Sequence, residues 1–412
     1  MNMSNAPKTA PRITPAYNVR WGIKAYDTDN LYPQWLINVA GNSSTLSGCL
    51  LRYIDFIEGK GFADINFAAW VVNRRGETLN DIHHLCAVDK GTFDGFAIHV
   101  NYDIHCRPCE IFHVPFQDCR LEEPDDSGYV SRVYVHPDWT GKLTRSGRKY
   151  TLDESKIDKI DVFNPDPDTV RRQIERDGGI SQYKGQILYV SGAGYMVYPV
   201  PRYDSVLTEA LTDEGLGNVK LRNVRNNFLA AGILTRLKNR HAMPIDPDDP
   251  NQSVDDEDDD FDEQLASLQG DTNALKILSF TADYEEEVPK WTPFTIQNFD
   301  KAFTATEDST KDKIYSIFQQ EGWLCIRNGK VGFGGDLIND IKIEYSERTA
   351  KERLALVMAY HKVLSVFAPE LLPGQPTLQN LEIEPLVKPV EKKPEKTTEN
   401  ANTSDNDIDN PE

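Results

Sequence analysis

The sequence predicts an α+β protein on three observations. Two-residue alternation recurs through the first half, as in "DGFAIHVNYD" and "CEIFHVPFQDCRLEE". Three- and four-residue apolar spacing brackets it, in "SGCLLRYIDFIEGKGF" before and "ERTAKERLALVMAYHKVLSVF" near the end. The 412 residues are 39% hydrophobic and 27% charged, which is enough apolar material for two or three cores.

The elements follow in order. Residues 1–20 are polar and Pro-rich, a loose arm without the apolar run of a signal peptide. "YPQWLINVAGNSSTLSGCLLRYIDFIEGKGF" (32–62) reads as helix, break, helix. Trp35, Leu36 and Val39 belong to the first helix. Asn42-Ser43-Ser44 supplies a cap, and Leu46, Leu50, Tyr53, Ile54 and Ile57 recur at helical spacing after it. A helix is expected from Trp70 to Val88, then a β-meander that continues through "YVSRVYVHPD", "KIDVFNP" and "GQILYVSG" to residue 192.

The character then changes. "RYDSVLTEALTDEGLGNVKLRNVRNNFL" (202–229) sets Leu207, Leu211, Leu221, Val224 and Phe228 on one helical stripe, weakened by Gly215 and Gly217. A strand "AGILTRL", an acidic segment, and the stretches "ALKILSF" and "VPKWTPF" follow. A helix over 296–320 carries Ile296, Phe299, Phe303, Ile314, Ile317 and Phe318 on one side, with a polar middle. "GWLCIRNGKVGFGGD" (322–336) reads as a glycine-rich loop with a basic tip. The longest helix is expected over 339–367, with Ala350, Leu354, Val357, His361, Leu364 and Ala368 on its stripe and His361 as a core residue. "TLQNLEIEPLV" suggests a last strand, and from Lys388 the composition is that of a disordered tail.

The chemistry is mostly defined by what fails. A net charge of −20 repels nucleic acid and anionic membrane, and the longest apolar run, "FLAAGIL", is far too short to span a bilayer, so the chain reads as cytosolic. Six cysteines in this length do not make a disulfide framework. Cys106 and Cys109, with His105, His113 and Cys119 nearby, have zinc-binding side chains, but no second ligand pair lies at a finger-like distance. Phe112 stands where a zinc deaminase needs its second cysteine, and "RPCE" between two apolar strands is a hairpin turn. There is no G-x-x-x-x-G-K-[ST], G-x-S-x-G or H-E-x-x-H, so no catalytic residue and no cofactor is assigned.

From Asp255 to Glu263, eight of nine residues are acidic: Asp255, Asp256, Glu257, Asp258, Asp259, Asp260, Asp262 and Glu263. A calcium loop begun at Asp256 meets Phe261 where glycine is required and Ser267 where glutamate is required. Consecutive aspartates splay and repel, so the run is a solvated tip with no metal. From Lys220 to Arg240 there are six basic residues, Lys220, Arg222, Arg225 and Arg236 among them, and no acid; from His241 to Gly270 there are eleven acids and no Lys or Arg. Copies set head to tail in a ring would bring the basic part of one against the acidic part of the next.

The order of these segments resembles the tailed-bacteriophage portal proteins, the head–tail connectors, along roughly residues 30–387. "GTFDGFAIHVNYD" with "EIFHVPFQDCRLE" resembles the family's wing meander, and "GQILYVSGAGYMVYPVPRY" the approach to its first stem helix. "RNNFLAAGILTRL" with "DEQLASLQGDTNALKILSF" resembles its clip, and "VPKWTPFTIQNFDKAFTATEDSTKDKIYSIFQ" its second stem helix. The resemblance implies a flexible arm over 1–20, a wing over 21–205 and a first stem helix over 206–229. It implies a clip over 230–294, a second stem helix over 295–321 and a tunnel loop over 322–338. A long helix with a reduced crown over 339–387 and a tail over 388–412 complete it. "EGWLCI" departs from the Val-Pro turn frequent in the family.

It further implies a non-enzymatic ring, usually of twelve copies, around a channel for double-stranded DNA at the portal vertex of a virion, assembled in the host cytoplasm. Arg327, Asn328 and Lys330 would face the DNA, and Lys220, Arg222, Arg225 and Arg236 would lie at subunit interfaces. The run from Asp255 to Glu263 would dock the terminase packaging motor and later the head–tail adaptor. Major capsid and scaffolding proteins would be the other partners, with no membrane. An acidic chain suits such a channel, because each phosphate ion pair would act as a brake on sliding DNA. The alternatives are another virion structural or scaffold protein, or a metal-dependent enzyme acting on nucleic acid through the acidic run or Cys106 and Cys109.

Overall fold

The computed structural model describes residues 16–18, 22–126, 128–140, 152, 154–192, 198–225, 230–237, 276–282, 299–329 and 335–388. For 16–18, 222–225, 230–237, 276–282, 299–302 and 335–336 it describes the backbone alone. The architecture is α+β: an eight-stranded mixed sheet with helices packed on it, and a helical hairpin that leads to a separate two-stranded sheet.

The sequence supplies a break and a cap between the first two helices. Helix α1 (Tyr32–Asn42) has a proline in its first turn, and α2 (Ser44–Glu58) is capped by Ser43, whose hydroxyl accepts from the Leu46 amide at 3.2 Å. A single turn, α3 (Ile65–Ala68), precedes α4 (Leu79–Phe93). Where the periodicity predicts a helix from Trp70, the chain instead turns at Gly76 (φ +80°), bridges Val71 to Thr78, and starts α4 with a reciprocal Thr78–Asp81 capping box. Turn chemistry overrides the apolar pattern there.

The sheet comprises β1 (Ala16–Asn18), β2 (Ile23–Ala25), β3 (Gly95–Tyr102), β4 (Pro108–Val114), β5 (Cys119–Glu122), β6 (Arg132–Val135), β7 (Asp158–Val162) and β8 (Gln186–Ser191). Their spatial order is β1-β2-β5-β6-β7-β8-β3-β4, with every neighbour antiparallel except β7 and β8. That parallel step needs a crossover, supplied by α5 (Pro167–Arg176), which the periodicity does not predict. Asp166 caps α5, Pro167 starts it, and Val170 and Ile174 are the residues it buries.

At the centre of the body, Tyr26 stacks on Tyr198 at 4.0 Å between centroids, and the fully buried Arg120 lies against Tyr26 and Trp139. Arg120 is satisfied by neutral acceptors: the side-chain oxygens of Asn30 (2.6 Å) and Gln34 (3.2 Å), and the carbonyls of Asn30 (2.6 Å), Gln117 (2.9 Å) and Cys119 (2.7 Å). Burial lowers its pKa from the ordinary arginine value.

After β8 the chain forms α6 (Leu207–Arg225), then β9 (Ala230–Leu237) and β10 (Lys276–Ala282), which pair in parallel, then α7 (Phe299–Ile317). A short helix α8 (Glu321–Arg327) occupies the first part of the stretch whose glycines predict a loop over 322–336. The expected long helix over 339–367 is two, α9 (Gly335–Arg348) and α10 (Ala350–Leu364). They part at Thr349, whose hydroxyl bonds the carbonyls of Tyr345, Ser346 and Phe56, while Arg353 takes those of Ser346 and Phe56. The expected last strand is one bridge, Phe62 to Ile383. It approaches so closely that a Cβ on Gly59 would lie 2.3 Å from the Glu384 carbonyl. No helix among the described residues is long and apolar enough to cross a membrane.

Candidate assembly surface

The hairpin of α6 and α7 is anchored to the body at its base. Leu207 and Ala210 of α6 and Ile314 and Tyr315 of α7 are buried, as is Phe318 just beyond. Phe318 stacks on Tyr203 at 5.9 Å and meets the edge of Tyr53 at 5.8 Å. Ser43 and Thr45 hold the carboxylate of Asp213, with Ser43 Oγ donating at 2.7 Å. Buried Gln320 ties α7 to the body: its amide donates to the Cys49 carbonyl at 2.9 Å and to Tyr345 Oη at 2.8 Å, and Arg52 donates to its oxygen at 2.7 Å. Arg202 lies over the Tyr53 ring and pairs with Glu352 of α10.

Beyond that base, burial stops. No α6 residue from Leu211 to Leu221, and no α7 residue from Phe303 to Ser309, is buried. The stripe predicted through Leu211 and Leu221 faces outward, with 36% and 50% of those side chains exposed. Helix Cβ positions explain this: the inward face of α6 carries Glu209 and Lys220, which meet α7, and Asp213, which meets the α1–α2 junction. The two helices are joined by charge. Lys313 donates to Glu209 at 2.7 Å, and Glu307 accepts from both Lys220 and Lys311. The hydrogen bond from Lys220, followed by that from Lys311, pulls Glu307 down to about 2.

The structure distributes the sequence-predicted residues unevenly. Lys220, expected at a subunit interface, is engaged inside the chain by Glu307. Arg222 and Arg225 lie on α6 and Arg236 on β9, with their side chains outside the described residues. Arg327 is the last residue of α8 and Asn328 caps it; both are exposed. Lys330 and the run Asp255, Asp256, Glu257, Asp258, Asp259, Asp260, Asp262 and Glu263 lie outside the described residues.

Of the cysteine cluster, only His105 and Cys106 lie in the β3–β4 turn; the turn expected at "RPCE" ends at Arg107, and Cys109 and His113 belong to β4. Cys106 has a left-handed φ of 60° in the β3–β4 connection, and Cys109 Sγ donates to the Asn101 carbonyl at 3.6 Å. His113 points elsewhere, meeting the buried Asp89 carboxylate at 2.7 Å, and the Phe116 amide donates to the same oxygen at 3.0 Å. Burial raises the pKa of Asp89, against the pull of His113. Among the described residues no group of three metal-ligating side chains comes together.

The stripe predicted along α10 is buried at Val357, Leu364 and, beyond the helix, Ala368, but not at Ala350, Leu354 or His361. The buried residues are Arg353, Leu356, Val357, Ala359, Tyr360, Val363 and Leu364, whereas Ala350 and Leu354 face outward. His361, expected in the core, is half-buried at the rim of a groove floored by Leu188, Tyr189 and Val190. Arg353 displaces the apolar pattern because its guanidinium is needed at the Thr349 junction.

No protein-family model and no curated protein matches the chain. Solved structures include similar chains from a gene transfer agent particle. A chain of the virion of the native particle is 10% identical, with 81% of this chain and 80% of that one covered and a TM-score of 0.46. A chain of the native neck, computed with C12 symmetry, is 10% identical over 88% and 85%, with a TM-score of 0.47. A chain of the empty particle's neck, computed with C6 symmetry, is 11% identical over 81% and 82%, with a TM-score of 0.43.

Proposed function

We propose that this chain is a virion structural protein of the portal type, one subunit of a closed ring around a passage for double-stranded DNA, and that it performs no catalysis. The observation that carries the proposal is the hairpin. Two helices of 19 residues each extend from a well-packed base, and none of their described residues over 211–221 and 303–309 is buried. Isolated helices that are polar on most faces are marginal in water, so packing against neighbouring copies is the natural source of their stability. The order of elements supports the same reading: body, outgoing helix, a small parallel β unit, returning helix, a turn bearing Arg327 and Asn328, then helices packed on the body.

On this reading, the β9–β10 unit and the acidic run between its strands form the end that meets the packaging motor and the adaptor. The arginine at the end of α8 lies beside the passage. The overall charge of −20 keeps phosphates from adhering to the wall. Native mass spectrometry of the purified chain tests the proposal. A mass near a whole-number multiple of 46.6 kDa, about twelve copies, with ring-shaped particles in negative stain, is the expected result. A monomer at every concentration and in the presence of capsid scaffolding protein contradicts it.

A further inference from the structure

Two surfaces of the chain carry charges that have no ion-pair partner among the described residues, and their signs are opposite. On α10, Lys351, Leu354, Met358 and Lys362 are three, seven and eleven positions apart, so they share one face. Leu354 is 55% exposed and Met358 49%. Neither Lys351 nor Lys362 has an ion-pair partner among the described residues. The second surface is the hairpin. Of the charged side chains described on α6 and α7, Glu209, Lys220, Glu307, Lys311 and Lys313 are in ion pairs and Asp213 is held by Ser43 and Thr45, but Glu214 on α6 and Asp308 and Asp312 on α7 have no ion-pair partner among the described residues. Apolar side chains accompany Glu214 too, since Leu211 and Leu221, three positions before it and seven after it, are 36% and 50% exposed.

Taking the ring reading as its premise, we propose that the outer face of α10 in one copy lies across the α6–α7 hairpin of the next copy. Lys351 and Lys362 then meet the acids of the two hairpin helices, and Leu354 and Met358 are covered between them. The dimensions agree. Eleven residues at about 1.5 Å each separate the lysines by roughly 16 Å along the helix. Packed helices lie about 8–10 Å apart, less than that spacing, so a helix that crosses the pair obliquely brings a lysine to each. The two surfaces differ from each other, which makes the contact heterologous, the kind that closes rings. In a chain of net charge −20, a basic and apolar stripe is also the surface that another copy's acidic face repels least.

Charge reversal tests this contact. One variant carries Lys351→Glu and Lys362→Glu, the other Asp308→Lys and Asp312→Lys, and native mass is measured for each alone and for an equimolar mixture. Each variant alone should need at least tenfold more protein to assemble than the unaltered chain. The mixture should recover rings of even subunit number, because only alternation pairs opposite charges at every contact. Should either reversal lower the melting temperature, Leu354→Ser with Met358→Ser reads the same face without changing charge, and it should weaken assembly likewise. Variants that assemble as the unaltered chain does, or a mixture that stays unassembled, overturn the contact and leave the ring intact as a reading. An unaltered chain that never assembles overturns the ring and the contact together.

Discussion

The body and the hairpin are built on opposite principles. The body buries several charges and meets their needs internally: Arg120 has five neutral acceptors, Asp89 has His113 and a backbone amide, and Arg353 takes the carbonyls of a helix junction. The hairpin keeps its charges at the surface, where an ion pair is worth at most about 1 kcal/mol, and leaves its apolar side chains uncovered. The body thus meets its main polar needs within the chain, whereas on the proposed reading the hairpin is covered by neighbouring copies.

Substitutions can break that comparison at several points. The largest effect belongs to Arg120→Ala, which takes the guanidinium from five acceptors, only two of which keep another side-chain or amide donor, and should cost about 4 kcal/mol by chemical denaturation. Arg120→Lys should recover little, because an ammonium cannot reproduce the planar fork. Phe318→Ala, at the seam of the two regions, should cost about 3 kcal/mol and loosen the hairpin base. A denaturation midpoint unchanged by either substitution would remove the internal packing on which the contrast rests.

A smaller effect sharpens the contrast through pH. Burial raises Asp118 to about 6, although Arg120 opposes the shift. The folded state therefore holds a proton that the unfolded chain releases near its ordinary value of 3.8, so this contribution to stability is full below that value and is lost as pH rises through about 6. Asp118→Asn should flatten that slope and raise stability at neutral pH by about 1 kcal/mol, discounted for the solvent that reaches the group. Glu307 has the opposite sign. Its pairing contributes above the ordinary glutamate value of 4.5 and is lost as pH falls toward 2. Glu307→Gln should change stability by under about 0.5 kcal/mol and be felt mainly below pH 4.5. Thermal melts across pH 3 to 8 distinguish the two signs.

The sequence was most legible where local rules act alone. The break at Ser43, the hairpin turn at Cys106 and the two outgoing and returning helices follow from caps, turns and spacing. It was least legible where a distant partner decides. Leu211 and Leu354 have core-like spacing yet face outward, because Lys220 and Arg353 claim the inward faces for Glu307 and for the Thr349 junction. Helix α5 escaped because only Val170 and Ile174 are apolar at its buried positions; Asp166-Pro167 was its signal. Arg120 had no sequence signal as a core residue, since nothing in "DCRLEE" marks an arginine that will be enclosed on all sides.

Hydrogen exchange compared between dilute and assembled protein tests the central claim most directly. If neighbouring copies complete the hairpin, backbone amides of residues 211–221 and 303–309 exchange rapidly in the dilute chain and become protected on assembly, while those of β3 and β8 stay protected in both states. Equal and strong protection of the hairpin in the dilute monomer would contradict the claim, because the hairpin would then need no partner.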